Sequence, residues 1–251
     1  MNLVIDIGNT RTKYYAFKHY NAVVQDSEEG CSLAGLPAFV AEVRRQTKRR
    51  FDKAIVSSTV DYTPEALQQL DALPCTTLFF THTTPIPLKN LYATPETLGP
   101  DRLAAAVGAW HRCPNHALIV MDIGTCITID FVTKKGEYLG GNISPGLHMR
   151  LKAMHDYTAH LPLVELDGER RRYGIDTETA LREGVFKGVS YELLSYIDYP
   201  YVVRKARAFV TGGDADYIFN AWRSSLTIDP VLVARGLNYI LNFNIKLATK
   251  V

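Results

Sequence analysis

Met1-Asn2-Leu3-Val4-Ile5-Asp6-Ile7-Gly8-Asn9-Thr10-Arg11-Thr12-Lys13 opens the chain. Leu3, Val4 and Ile5 form a short apolar run of the kind that makes a buried strand, and they deliver a carboxylate, Asp6, to its end. Gly8-Asn9 is a turn pair that tolerates positive φ, and Thr12 to Phe17 reads as the returning strand. A hairpin turn of this composition can aim backbone N–H groups and the Thr10 and Thr12 hydroxyls at one anion, with Asp6 close enough to bind the accompanying cation. Taken alone, the pattern fits an ordinary strand end equally well.

A second copy tips the balance. Ala117-Leu118-Ile119-Val120-Met121-Asp122-Ile123-Gly124-Thr125-Cys126-Ile127-Thr128-Ile129-Asp130 repeats the apolar strand, the Asp-Ile-Gly, the hydroxyl-bearing turn and the second apolar strand. Asp6 and Asp122 stand 116 positions apart, as do Gly8 and Gly124. The chain therefore reads as two halves of one duplicated design. Its 251 residues suffice for two α/β domains. They are expected over 1–113 and 114–251, joined at Cys113-Pro114-Asn115.

Composition narrows the function. A net charge of +2 from 28 basic and 26 acidic residues leaves no broad electrostatic footprint, so no nucleic-acid partner is expected and any anion site must be local. The run Arg44-Arg45-Gln46-Thr47-Lys48-Arg49-Arg50 reads as the solvated end of a helix. The four cysteines form no Cys-x-x-Cys pair, and the seven histidines fall in no metal-binding pattern. No apolar window approaches the ~18 residues of a membrane span, and no charged leader precedes a long apolar segment. A cytoplasmic protein away from the membrane is expected.

Between the hairpins the pattern gives a strand near 22–25, a helix over 36–50, a strand over 54–60, a helix over 64–73 and a strand over 77–81, the last two strands parallel. Residues 83–97 read as a long connection, of the kind that is uncommon unless functional. A helix then starts at Leu98-Gly99-Pro100-Asp101-Arg102 and continues through an Ala-rich run. Asp101 there is either a partner of the helix dipole or, with Arg102, an acid and base placed to work on a hydroxyl substrate.

In the second half, the glycines of 140–146 allow close backbone approach, and helices are expected over 147–155 and from Asp176 to about Ser195. Thr211-Gly212-Gly213 ends a strand in a turn suited to bringing backbone against a nucleotide. A last amphipathic helix runs through Asn244. There is no P-loop and no Gly-x-Gly-x-x-Gly fingerprint, so a bound nucleotide takes another route.

The two Asp-x-Gly hairpins with the late Thr-Gly-Gly strand end resemble the actin, sugar kinase and heat-shock-protein ATPase superfamily. That resemblance implies an α/β fold of two duplicated ribonuclease H-like domains with a nucleotide cleft. Within the superfamily the chain resembles the type III pantothenate kinases over nearly its whole length. The likeness is carried by Asp6 to Lys13, Gly99-x-Asp101-Arg102, Asp122-x-Gly124-Thr125 with Thr128 and Asp130, Gly140-Gly141 to Gly146, and Thr211-Gly212-Gly213, in the family's order.

The resemblance implies an ATP phosphate loop made by Asp6, Ile7, Gly8, Asn9, Thr10, Arg11, Thr12 and Lys13, with Thr125 as a second ATP contact. It implies Asp101 as general base, and Tyr92, Gly99, Pro100, Asp101, Arg102 and Thr177 as pantothenate contacts. Asp122 matches the ligand of a monovalent cation, K⁺ or NH₄⁺, and Asp6 would orient Mg²⁺ through water. A homodimer is implied as well. The alternatives are a catalytically silent regulatory relative and a kinase of another small hydroxyl substrate. The Glu178-Thr179 pair and the basic loop from Gly168 to Arg172 lie outside these motifs.

Overall fold

Both hairpins form, each at the centre of its own sheet, in a computed structural model that describes residues 1–198, 205–219 and 226–249. The chain divides into two compact units, Met1–Asn115 with Gly136–Tyr138 and Val231–Val251, and His116–Lys135 with Leu139–Pro230.

In the first unit β1 (Asn2–Ile7) pairs antiparallel with β2 (Arg11–Lys18), and β2 with β3 (Asn21–Glu29). Helix α1 (Leu36–Thr47) leads to β4 (Lys53–Ser58), and α2 (Pro64–Asp71) to β5 (Thr76–Phe79). Strand β4 runs parallel to both β1 and β5, giving the order β3-β2-β1-β4-β5. Period-two alternation sends Leu3, Ile5 and Ile7 to one face, where they join Ala54, Val56, Phe39 of α1 and Leu70 of α2 in a core.

The basic run behaves as a helix end. Helix α1 stops at Thr47, Lys48 takes a left-handed conformation at φ 56°, and Arg44, Arg45, Lys48, Arg49 and Arg50 are exposed. The connection expected over 83–97 is partly ordered into a two-residue strand, β6 (Lys89–Asn90), and a 3₁₀ turn (Pro95–Thr97). Its backbone finds partners in Glu137 and Tyr138, with which β6 pairs in parallel, a long-range pairing that leaves no local periodicity to read. The turn hands the chain to α3 (Pro100–Arg112).

The second unit repeats the scheme. Its hairpin is β7 (Leu118–Ile123) and β8 (Cys126–Val132), followed by β9 (Glu137–Pro145), α4 (Leu147–Asp156), α5 (Thr177–Asp198), β10 (Arg207–Thr211), α6 (Ala215–Phe219) and β11 (Thr227–Ile228). Strand β10 runs parallel to β7 and β11, and in the six-stranded order β11-β10-β7-β8-β9-β6 the first five strands repeat, read in reverse, the order of the first sheet. Ile119, Met121, Ile123, Ile127 and Ile129 meet Leu147 and Leu151 of α4 and Val185, Phe186 and Val189 of α5 in the core.

The final helix, α7 (Leu232–Ala248), groups with the first unit, which the linear reading of halves did not foresee. Its buried Leu237, Ile240 and Leu241 need an apolar partner, and α3 supplies one. The two helices approach closely because a Cβ at Gly236 would stand 1.8 Å from Ala104 O. Asn2 Nδ2 donates to Asn238 Oδ1 at 2.8 Å, which ties α7 to the face of β1 that carries Asp6.

Candidate active site

The first hairpin turn is closed by Gly8 N donating to Arg11 O at 3.0 Å, and Asn9, Thr10 and Arg11 are exposed at its tip. The strand register sets Asp6 opposite Lys13 and Ile7 opposite Thr12. Alternation turns the Thr12 side chain inward, where it is fully buried and its Oγ1 donates to Gly30 O at 2.7 Å. The expectation that both threonine hydroxyls face an anion is corrected accordingly, since only Thr10 belongs to the exposed tip.

The second turn is one residue shorter. Gly124 N donates to Cys126 O at 3.0 Å, and the register sets Asp122 opposite Thr128 and Ile123 opposite Ile127. The repeat that matches Asp6 to Asp122 therefore slips by one beyond the turn, and the counterpart of Lys13 is Thr128. An ammonium stands across from the first aspartate and a hydroxyl across from the second.

Asp6 is half-buried, and its carboxyl is pushed up to about 6. Burial is the main cause; Lys13 works against it and the charge of Asp101 adds to it. The structure thus brings Asp6, Lys13 and Asp101 within electrostatic reach inside one unit. Asp101 lies in the first turn of α3, where its Oδ1 accepts from Arg102 N at 2.8 Å.

Gly99 leaves room for that carboxylate, because a Cβ there would come within 2.6 Å of Asp101 Oδ1. Pro100 begins the helix beside it. Arg102 is buried, with its guanidinium carbon 5.7 Å from the centre of the Tyr92 ring. Tyr92 N donates to Asn90 Oδ1 at 3.0 Å, so the ordered part of the 83–97 connection is what carries this ring. Tyr92, Gly99, Pro100, Asp101 and Arg102 thus form one neighbourhood.

Ser57 was missed in the sequence. Parallel pairing sets it beside Asp6, fully buried. Its only signal was a serine ending an apolar run, and the face it occupies depends on the register with β1.

In the second unit Asp122 is half-buried and Thr125 is exposed at the hairpin tip. The close backbone approach expected at Gly146 is made to this hairpin. Gly146 N donates to Thr125 O at 3.1 Å, and a Cβ at Gly146 would lie 2.0 Å from Gly124 O. Gly212, at φ 101°, presses on Ile123, and Asp214 N donates to Ile123 O at 2.9 Å. Main chain packed on main chain holds the tip in place. The Thr-Gly-Gly turn does border a pocket of about 400 Å³, lined by Thr211, Gly212, Ala215, Asp216, Ile228 and Pro230. That is room for a small-molecule group of nucleoside size.

Thr177 is the exposed first residue of α5. Asp176 caps this helix, accepting from Thr179 N and Thr179 Oγ1 at 2.8 Å each, which gives Thr179 its role. The basic loop is anchored rather than free. Arg170 Nε and Arg171 N donate to Glu183 Oε1 at 2.9 and 2.7 Å, and Lys187 Nζ donates to Oε2 at 2.7 Å. Burial works against the charge of Glu183, yet these hydrogen bonds hold its carboxyl down at about 2.

Among the described residues no group of three or more His, Cys, Asp or Glu side chains could hold a metal ion. A divalent cation at Asp6 would draw its remaining ligands from water, main chain and phosphate oxygens, which suits a nucleotide-borne Mg²⁺. No helix among the described residues is long and apolar enough to cross a membrane.

Residues 2–198 match the family model described as type III pantothenate kinase. A type III pantothenate kinase from Bacteroides fragilis is 45% identical over 250 residues, covering 97% of this chain and 98% of that one. Two solved structures share the fold at low identity. One is a Baf family protein from Campylobacter jejuni, with a TM-score of 0.63, 22% identity and coverage of 97% of this chain and 99% of that one. The other is the activator of 2-hydroxyisocaproyl-CoA dehydratase from Clostridium difficile with bound ADPNP, with a TM-score of 0.58, 13% identity and coverage of 100% and 97%.

Proposed function

The chain belongs to the type III pantothenate kinase family, and we infer from this premise that it phosphorylates pantothenate with ATP, the first step towards coenzyme A. The observation that carries the reading is that Asp101 acts electrostatically on Asp6, the strand-end carboxylate that Lys13 faces across the first hairpin. A candidate base thereby lies near a candidate phosphate loop.

In this reading Asp101 accepts the proton of the pantothenate hydroxyl as its oxygen attacks the γ-phosphorus. The new O–P bond forms while the bond to the β-phosphate oxygen breaks, and ADP leaves. Phosphoryl transfer of this kind relies on positioning and charge neutralisation more than on covalent chemistry, so a weak carboxylate base suffices when proton transfer comes late.

Ile7, Gly8, Asn9, Thr10, Arg11 and Thr12 supply the loop, Lys13 its charge, and Thr125 a contact from the second hairpin. Asp6 would hold Mg²⁺ through water, and the ion would supply neutralisation of the phosphate charge. Asp122 serves a monovalent cation, K⁺ or NH₄⁺. Arg102 and Tyr92 hold pantothenate, with Gly99, Pro100 and Thr177 shaping its site. The pocket at Thr211 and Gly212 suits the nucleoside.

A homodimer is part of the proposal, supported by Tyr157, Leu163, Tyr173, Ile175 and Tyr191, large apolar side chains exposed on the second unit. So is a cytoplasmic location.

ADP release from ATP, measured with and without pantothenate and with and without K⁺ or NH₄⁺, tests the assignment on wild type and Asp101→Asn. Turnover that needs pantothenate and collapses in the variant is expected. Pantothenate-independent turnover, or full activity in Asp101→Asn, overturns it.

A further inference from the structure

Ser57 Oγ is buried, with no hydrogen-bond partner among the described residues. Strand backbones spend their donors and acceptors on the ladder, so a serine on a buried strand face usually borrows a carbonyl or a neighbouring side chain. This one does neither. An alanine would fill the same space without leaving a polar atom stranded, so the hydroxyl is a cost to the fold that packing does not explain.

Its position suggests what the cost supports. Ser57 pairs with Asp6 across the parallel β1 and β4, and Lys13 pairs with Asp6 from β2. Paired residues on neighbouring strands share a face and lie about 4.8 Å apart along the sheet. Lys13, Asp6 and Ser57 therefore form one row, with the carboxylate flanked by an ammonium on one side and a hydroxyl on the other. Residues 5, 7, 54 and 56 enter the core with α1 and α2, so the row occupies the opposite face. Helix α3, which begins at Pro100-Asp101, packs against β4.

We propose that Ser57 is a positioning residue for the nucleotide-borne cation: its hydroxyl, unbonded among the described residues, turns on cation binding to donate to one oxygen of the Asp6 carboxylate while the other oxygen is presented to the metal's water. An ionised carboxylate has acceptor sites for both. A neutral donor fixes its orientation without adding a second positive charge beside the cation. The inference rests on Asp6 serving Mg²⁺ as described under the proposed function.

The test is calorimetric titration of ADP into wild type, Ser57→Ala and Ser57→Cys, each in Mg²⁺ and in EDTA, with Tm of the ligand-free proteins measured alongside. Partners that orient a metal's carboxylate are worth about 10-fold or more in affinity. Ser57→Ala is therefore expected to lose about tenfold of the Mg²⁺-dependent gain in ADP affinity, and Ser57→Cys, whose S–H is a weak donor, to fall between. Affinities in EDTA should agree across the three proteins. The Tm of Ser57→Ala should be equal to wild type or higher, since the stranded hydroxyl is gone.

A Ser57→Ala variant that keeps the full Mg²⁺ gain overturns the inference. So does one that loses affinity equally in EDTA with a lowered Tm, which marks a merely structural serine. A wild type that binds ADP no better with Mg²⁺ than without overturns the reading of Asp6, and this inference with it.

Discussion

Gly99 lies so close to Asp101 that a Cβ on it would stand 2.6 Å from the carboxylate Oδ1. The same carboxylate accepts from Arg102 N at 2.8 Å, so it is held between the helix start and the residue before it. Gly99→Ala is expected to push the carboxylate aside without disturbing the helix, whose first turn keeps Pro100. A displacement of about 1 Å in a reacting group can cost on the order of 100-fold in rate. Turnover should fall by about 10-fold to 100-fold while Tm changes little. Steady-state kinetics and a thermal melt on the one variant check both halves.

Asp6 makes the opposite trade, in stability. Its carboxyl is raised from 3.8 to about 6, first by burial and then by Asp101, against the pull of Lys13. A folded pKa above the unfolded one means that folding favours the protonated form. Stability from this group is present below the unfolded value and is lost as pH rises through about 6. At about pH 8 the ionised carboxylate should cost the metal-free fold on the order of 2 kcal/mol. Asp6→Asn is therefore expected to raise Tm in EDTA at about pH 8 by roughly 4–8 °C, with the gain vanishing towards pH 4. Kinase activity should be lost in the same variant. An Asp6→Asn melt indistinguishable from wild type across this range would count against the burial argument.

The hairpins were legible because a strand run, an aspartate and a turn glycine are all local signals. What lay beyond local signals was harder to read. The one-residue difference between the turns moves Thr128, rather than Cys126 or Ile129, into the place of Lys13, and only the register reveals it. Gly146 marks a point of close backbone approach, but a glycine does not say what approaches it, and at both Gly146 and Gly212 it is the second hairpin. Helix α7 announced its apolar stripe and not its return to α3. The basic loop carries no local sign of its role because Glu183, the acceptor for Arg170 and Arg171, sits a turn and a half into the following helix.

That acceptor gives a prediction about acid. Glu183 is held at about 2, against an ordinary 4.5, by Lys187, Arg170 and the Arg171 amide despite its burial. A lowered folded pKa contributes stability that is present above the unfolded value and is lost as pH falls from about 4.5 towards about 2. Glu183→Gln is expected to cost on the order of 3 kcal/mol at neutral pH, and progressively less below pH about 4.5. Urea denaturation at neutral and acid pH measures this directly. Because α5 begins at Thr177 and its Glu183 tethers the preceding loop, the variant should also raise the KM for pantothenate more than that for ATP.

The two aspartates differ most simply in what stands across the hairpin, Lys13 opposite Asp6 and Thr128 opposite Asp122. An ammonium in the first unit supplies permanently the kind of charge that the proposed monovalent cation would supply in the second. Thr128→Lys should bring a tethered cation to Asp122, since a lysine there faces the carboxylate across the hairpin as Lys13 faces Asp6, whose ionised form Lys13 favours. Turnover without K⁺ or NH₄⁺ is then expected to rise, and stimulation by either ion to shrink by about 10-fold, which corresponds to about 1.4 kcal/mol of cation binding supplied within the chain. Lys13→Thr, the reverse exchange, should raise the KM for ATP by a similar factor without making the enzyme respond to monovalent ions in any new way. Activity assays across a K⁺ titration distinguish the cases. Full K⁺ stimulation in Thr128→Lys would mean that the monovalent ion acts somewhere other than Asp122.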